Sequence, residues 1–368
     1  MVMVKVPKLE PGVKLLNDVR TARGNKLFHK GSILNERERE ILLAFFINEV
    51  DVERIEVTQT TEPSTTEPSM DVPERLPEYQ VESTAFSSTF QRHYRQLLTL
   101  MRKVFQNTSE LESLPIVELR SHLEALVTEI NQEDLLTFSS KATIPQDYLY
   151  HKSIIVALTS YLIAVWMKFQ KKDLMPIALA GLLHDIGNMG IDSAILNKPG
   201  KLTENEMNEV KKHTIIGYNR LKNVMGINEG VKLAALQHHE REDGSGYPLG
   251  VKGDKIHIYA KVVAVADIFY AMTQARMHKV ARSPYVVLDQ LFEDSFGKLD
   301  PAMVRTFVYK ITQQQLGYTV RLNNGSVGKI VYTDQTNPTR PWVKVDERTI
   351  NLAQERHLYI AEVLSKVH

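Results

Sequence analysis

The sequence predicts a mainly α protein: an all-helical central domain, a small α+β unit before it and a small all-β unit after it. Three observations carry this. From about residue 141 to 316, apolar residues recur at helical spacing, interrupted by caps and turns. Before residue 57 and after Gly317 the pattern gives way to short alternating runs. At 368 residues, the chain is long for one hydrophobic core and suits two or three.

Composition narrows the class. Apolar residues make up 43% and charged residues 24% of the chain, the balance of an ordinary globular protein. A net charge of +1 gives no electrostatic case for polymeric nucleic acid or an anionic membrane. There is no cysteine, which removes disulfides, thiolate metal sites and cysteine nucleophiles and agrees with a cytoplasmic location. The N-terminal Met-Val-Met-Val-Lys-Val has no apolar signal-peptide core. The longest apolar run, about Ile154 to Met167, is too short to span a bilayer and reads as a buried helix.

Residues 1–57 form the α+β unit. Strands are expected over Val13–Val19 and Lys26–Leu34 with a turn at Arg23–Asn25, then a helix over Glu36–Asn48 and a strand at Ile55–Val57. Residues 58–84 carry Thr-Thr-Glu-Pro-Ser twice in tandem. That composition buries too little apolar surface to order itself and predicts a flexible linker. Residues 85–140 read as two helices, Phe86–Gln106 and Leu114–Ile130, packing on the following domain or forming a homodimer contact. Arg92, His93, Arg95, Arg102 and Lys103 look like a solvated basic face.

Within 141–316, helices are expected over Gln146–Phe169, Met175–His184, Val210–Met225, Glu229–His238, Ile258–Thr273 and Pro284–Glu293. Thr203 with Glu206 makes a capping box. The glycine-rich stretch Glu240–Lys255 must turn tightly. From residue 317 to 368, strands are expected at Tyr318–Leu322, Val327–Thr333, Trp342–Val345, Thr349–Leu352 and His357–Ile360. They form a small barrel or sandwich, with Asn323–Gly325 as a hairpin turn.

The chemistry concentrates between residues 147 and 267. His184-Asp185 lie side by side, His213 follows, and His238-His239 form a pair. His151 begins a helix with Asp147 four residues earlier on the same face. Asp267 sits in an apolar run, where a carboxylate is costly unless paired or metal-bound. Taken singly, His151 reads as a core histidine, Asp267 as an ion-pair partner, His213 as a surface residue and Asp147 as a helix-start acid. Their co-occurrence at ordered spacing suggests a centre of imidazole and carboxylate ligands, which suit iron, manganese or zinc.

Leu-Leu-His-Asp-Ile-Gly (through Gly187) and His-His-Glu-Arg-Glu-Asp-Gly-Ser-Gly-Tyr-Pro (through Pro248) resemble the HD-GYP family of the HD phosphohydrolase superfamily. Ile191–Leu202 is similar to the segment connecting these motifs. The resemblance covers about residues 141–316 and implies an all-helical HD-type metal phosphohydrolase domain. It implies two or three divalent metal ions, iron or manganese, and hydrolysis of cyclic di-GMP to pGpG or GMP by a metal-bridging hydroxide. The implied metal ligands are His151, His184, Asp185, His213, His238, His239 and Asp267, with Asp147 where three-metal members have Glu. His184 and Asp185 would be central to catalysis. Arg276 and Lys279 match a phosphate-binding basic pair. Arg241, Asp243, Gly246, Tyr247 and Pro248 match the loop that names the family, expected to shape the pocket.

Two positions depart from the family. Asn188 stands where the family has a Lys beside the phosphate; it donates hydrogen bonds but carries no charge. Tyr270 replaces an Asp in Asp267-Ile-Phe-Tyr270-Ala-Met-Thr273. These changes keep open an alternative: a weak or inactive cyclic di-GMP receptor that binds metal and nucleotide. The flanking units are expected to meet regulatory protein partners.

Overall fold

The computed structural model describes residues 2–6, 9, 13–20, 26–34, 39, 42, 47, 49–53, 87–106, 114–130, 147–198, 200–273 and 283–366. The chain divides into two compact units, Met1–Glu78 and Tyr79–His368.

In the first unit, β1 (Val2–Lys5), β2 (Val13–Leu15), β5 (Ile33–Leu34) and β6 (Glu49–Glu53) make one antiparallel sheet in the order β1-β6-β2-β5. β3 (Val19–Arg20) and β4 (Lys26–Phe28) make a separate pair. Val6, Leu15, Leu34, Leu42, Val50 and Val52 form its core. Each expected long strand breaks in two. Asn17 and Asp18 turn aside to bond Asp51 and the Lys30 amide, and Gly31 adopts a positive φ of 89°, which glycine tolerates. β1 was not expected, although Val2, Val4 and Val6 alternate. The Arg23–Asn25 turn, most of the Glu36–Asn48 helix, the Ile55–Val57 strand and the 58–84 linker lie outside the described residues.

The second unit is built on helices: α1 (Ser88–Gln106), α2 (Ile116–Glu129), α3 (Tyr148–Trp166), α4 (Lys171–Leu183), α5 (Ser193–Leu196), α6 (Glu204–Lys211), α7 (His213–Leu221), α8 (Glu229–Gln237), α9 (Ile258–Thr273), α10 (Pro284–Asp294) and α11 (Pro301–Gln314). Buried residues of α1 and α2, among them Leu97, Met101, Leu119 and Leu123, belong to the same core as α3, α4, α9 and α11. The first two helices are therefore part of this domain's body. α3 is the hub, packing against α4, α9, α11 and α1. It is long and apolar enough to cross a membrane, but 78% of its apolar window is buried inside the protein.

Local chemistry sets the helix ends. Thr203 and Glu206 form the capping box, and Asn228 caps α8 through the Val231 amide. α11, which the helical spacing did not single out, starts where Asp300 caps the Ala302 and Met303 amides ahead of Pro301. α4 begins at Lys171, earlier than expected, and carries Pro176 inside it. The helix expected over Val210–Met225 breaks at Lys212, so His213 opens α7.

The C-terminal strands β7 (Tyr318–Leu322), β8 (Val327–Tyr332), β9 (Trp342–Val345), β10 (Arg348–Asn351) and β11 (Ile360–Lys366) form one antiparallel sheet, ordered β10-β9-β8-β7-β11. The five strands make one sheet rather than the two of a sandwich. β11 starts at Ile360, because His357–Leu358 are taken up in a turn closed by the Leu358 amide on Glu355. The core of the sheet includes Tyr285 from α10.

Candidate metal centre

The site is assembled where α3, α4, the 3-10 turn Ile186–Gly190, α7, α8 and α9 converge. α4 ends at Leu183, which places His184 and Asp185 at its C-terminal edge. α7 begins with His213. α8 delivers His238 and His239 at its end, and α9 carries Asp267.

Glycine permits the convergence. A Cβ on Gly187 would lie 1.8 Å from the His213 carbonyl oxygen and 2.5 Å from the Gly217 nitrogen. The turn after His184-Asp185 therefore packs backbone to backbone on α7, which brings Asp185 to His213.

Asp185, His213, His238 and His239 offer one ligand atom each, all within 4.8 Å of one another. The Nδ1–H groups of His184, His213 and His238 donate to the carbonyls of Gly181 (2.7 Å), Val210 (2.7 Å) and Ala234 (3.0 Å). A carbonyl only accepts, so each of these bonds puts a proton on Nδ1, and the neutral rings of His213 and His238 keep their lone pair on Nε2. Asp185 Oδ1 lies 3.4 Å from His213 Nε2 and 3.6 Å from His238 Nε2. Its Oδ2 faces the other way, 3.3 Å from His184 Nε2. His184 Nε2 is fully buried, makes no well-directed hydrogen bond, and is 3.7 Å from Asp267 Oδ1. Buried nitrogen lone pairs converging on a carboxylate are a donor set that fits a divalent cation.

The electrostatics agree. Burial pushes His238 down to about 4 and lowers His213 and His239 as well, which keeps them neutral as ligands must be. Burial also opposes charge on His184, but Asp185 and Asp267 outweigh it and raise His184 to about 9. Burial would raise Asp185 and Asp267; Lys152 and His184 prevail and hold both carboxyls well below their usual range.

Other expected residues sit as follows. A hydrogen bond joins His151 Nδ1 to the Tyr94 hydroxyl, and the ring lies 5.9 Å from that of Tyr270. Asp147 accepts from Arg102 through both oxygens, at 2.8 and 2.5 Å. Arg102 is thus an ion-pair partner rather than part of a solvated face, and His93 also turns inward, 3.1 Å from His122. Arg92, Arg95 and Lys103 are exposed as expected. Asn188 is buried in the turn that follows Asp185. Arg276 and Lys279 lie outside the described residues.

The loop after His239 folds back over the site. The Tyr247 ring stacks on His239 with centroids 4.6 Å apart, and the Tyr247 amide donates to the His239 carbonyl. Gly246 is required, since a Cβ there would lie 2.4 Å from Glu240 Cα. The Tyr247–Pro248 peptide is cis. Asp243 accepts from the Ser245 amide, and Arg241 donates to the His238 and Glu240 carbonyls.

Two residues escaped the sequence reading. Glu240 is buried and accepts from the Leu249 amide at 2.7 Å and the Val251 amide at 3.1 Å, tying the loop shut. Lys152 reaches from α3 into the centre, its Nζ 2.7 Å from both Asp185 Oδ2 and Asp267 Oδ1. Lys152 had a signal, a charged residue next to the apolar run Ile154–Leu158, whereas Glu240 sits in a polar stretch that gave none.

Residues 126–303 match the family model of the HD domain, and residues 319–367 match that of a KOW domain associated with the HD domain. A cyclic di-GMP phosphodiesterase of Pseudomonas aeruginosa is 32% identical over 230 residues, 61% of this chain and 55% of that protein. The cyclic di-GMP phosphodiesterase response regulator RpfG of Xanthomonas campestris pv. campestris is 35% identical over 217 residues, 57% of each chain. The 3'3'-cGAMP-specific phosphodiesterase 3 of Vibrio cholerae is 33% identical over 181 residues, 49% of this chain and 37% of that protein. The chain thus spans little more than half the length of the first two relatives.

Proposed function

We propose that this chain, whose residues 126–303 match the family model of the HD domain, is a divalent-metal-dependent phosphodiesterase acting on cyclic di-GMP and releasing pGpG or GMP. The observation that carries this reading is the four-donor cluster of Asp185, His213, His238 and His239, in which two histidines are locked by backbone carbonyls with Nε2 turned inward. Iron or manganese suits such a set. The 3'3'-cGAMP-specific relative makes that nucleotide the second substrate to assay.

When bound, the metal supplies Lewis acidity at the phosphoryl oxygens and lowers the pKa of an attacking water. The chain does the rest. His213 and His238 present preset lone pairs, so little reorganisation accompanies binding. Asp185 turns one oxygen to each half of the centre. The Tyr247 ring covers His239 and keeps bulk water from that side. Lys152 brings a fixed positive charge toward the anionic diester, and Asn188 offers a neutral donor near Asp185. Arg276 and Lys279 are proposed to hold the substrate phosphates. A receptor that binds nucleotide without turnover is the second reading, favoured by the neutral Asn188 beside the centre.

The test is chromatographic. Anaerobically purified protein loaded with Fe(II) or Mn(II) is incubated with each dinucleotide, beside a His184→Ala/Asp185→Ala blank. Metal-dependent pGpG or GMP absent from the blank is expected. No product from metal-filled protein overturns the enzyme reading, and tight nucleotide binding without product then establishes the receptor.

A further inference from the structure

Asp185 divides the centre into two halves, and among the described residues a lysine ammonium stands in one of them. On the side of Oδ1 are His213, His238 and His239, all nitrogen donors. On the side of Oδ2 are His184 Nε2, Asp267 Oδ1 and the ammonium of Lys152. Resting on the reading of this cluster as a metal site, we propose that Lys152 takes the place of a second metal ion: the chain holds one divalent cation, at Asp185, His213, His238 and His239, and the Lys152 ammonium occupies the Asp267 half.

The geometry supports this on three counts. The Nζ lies 2.7 Å from one oxygen of each carboxylate, so it bridges the same pair, Asp185 and Asp267, that a second metal would bridge. The lysine is 8% exposed and its neighbours along α3, from Ser153 to Ser160, are all buried. Finally, a metal sits about 2.0–2.2 Å from its carboxylate oxygens, so a cation bridging Asp185 Oδ2 and Asp267 Oδ1 would overlap the ammonium. The two exclude each other. On the other half no such conflict arises, because Lys152 bonds Asp185 through Oδ2 and leaves Oδ1 to the histidines.

The consequence is a mixed centre, one exchangeable divalent ion and one permanent monovalent cation sharing Asp185. Its stoichiometry differs from the pair or trio of metals expected from the sequence.

The full chain is stripped of metal, loaded anaerobically with excess Mn(II), desalted and analysed for manganese per chain, with an electron paramagnetic resonance spectrum of the same sample. For the unaltered protein about one Mn(II) per chain is expected, with the resolved hyperfine pattern of an isolated ion. For Lys152→Ser, about a twofold rise is expected, with the broadened spectrum of two coupled ions sharing a carboxylate. Two Mn(II) in the unaltered protein, magnetically coupled, overturns the proposal and leaves the metal-site reading intact. A folded Lys152→Ser that still takes only one also overturns it. No bound Mn(II) in either folded protein overturns the metal-site reading, and the proposal with it. The spectrum of the unaltered protein decides the matter even if the variant does not fold.

Discussion

Gly187 meets the backbone of His213 with no room for a side chain: a Cβ would stand 1.8 Å from the His213 carbonyl oxygen. The contact joins the turn after His184-Asp185 to the start of α7, and so sets the approach of Asp185 to His213. Gly187→Ala must push the two segments apart. It is expected to cost about 1–3 kcal/mol, the range of a small overpacking substitution, and to weaken Mn(II) retention during dialysis. Thermal unfolding and metal analysis of the dialysed protein check both. Unchanged retention would show that the close approach does not set the metal site.

Glu240 serves the loop rather than the metal. Its carboxylate is buried and satisfies the Leu249 and Val251 amides. Glu240→Ala leaves two donors without their acceptor, at about 1–3 kcal/mol each where water cannot replace it. Limited proteolysis should then cut between Arg241 and Lys252 at least tenfold faster than in the unaltered protein, while manganese binding persists. Equal cleavage rates would mean that the Tyr247–His239 stack holds the loop unaided.

Much of this was legible in the sequence because it depended on spacing. The cap at Thr203, helix α9 and strands β7 and β9 fall where periodicity and turn residues put them. So did the gathering of His184, Asp185, His213, His238 and His239, whose order in the motifs mirrors helix ends that must converge. What stayed hidden depended on partners distant in sequence. Arg102 reads as one more exposed charge until Asp147, 45 residues on, takes both of its donors. Lys152 followed the same rule that singled out Asp267, a charge in an apolar run, but nothing local shows that the two face each other. The break at Lys212 was also missed, because the apolar spacing runs through it.

Proton binding should shape the stability of the metal-free protein. Burial holds His151 and His238 at about 4 in the fold, below the ordinary value near 6.5. The unfolded chain then binds more protons between those limits, so stability falls as the pH drops from about 6.5 to about 4. His184 behaves oppositely. Its carboxylate neighbours raise it to about 9, so its contribution is full below about 6.5 and is lost as the pH rises to about 9. The melting temperature of metal-stripped protein should pass through a maximum near pH 6.5. A curve still rising at pH 9 would show that the carboxylates do not hold a proton on His184. With metal present the acid limb should steepen, since protons compete with the cation for the same nitrogens.

The C-terminal sheet is fastened to the helical body through Asp289 on α10. Its two oxygens accept from Thr339 and, at 2.5 Å, from Arg340, and Arg340 also donates to the Leu358 carbonyl at 3.2 Å. Tyr285, one turn earlier on α10, lies in the core of the sheet. Asp289→Ala removes the polar half of this junction and leaves the apolar half. Asp289 and Arg340 are each a little under a third exposed, so solvent offsets part of the loss, and a cost of about 1 kcal/mol is expected. Tyr285→Ala removes a fully buried ring and should cost about 3–5 kcal/mol. Hydrogen exchange separates the two effects. In Asp289→Ala, faster exchange is expected in the 339–341 and 358–360 segments with β7 and β8 protected as before. In Tyr285→Ala it should spread through β7, β8 and β9. Faster exchange at His184 or His213 in Asp289→Ala would instead mean that the junction on α10 transmits to the metal centre.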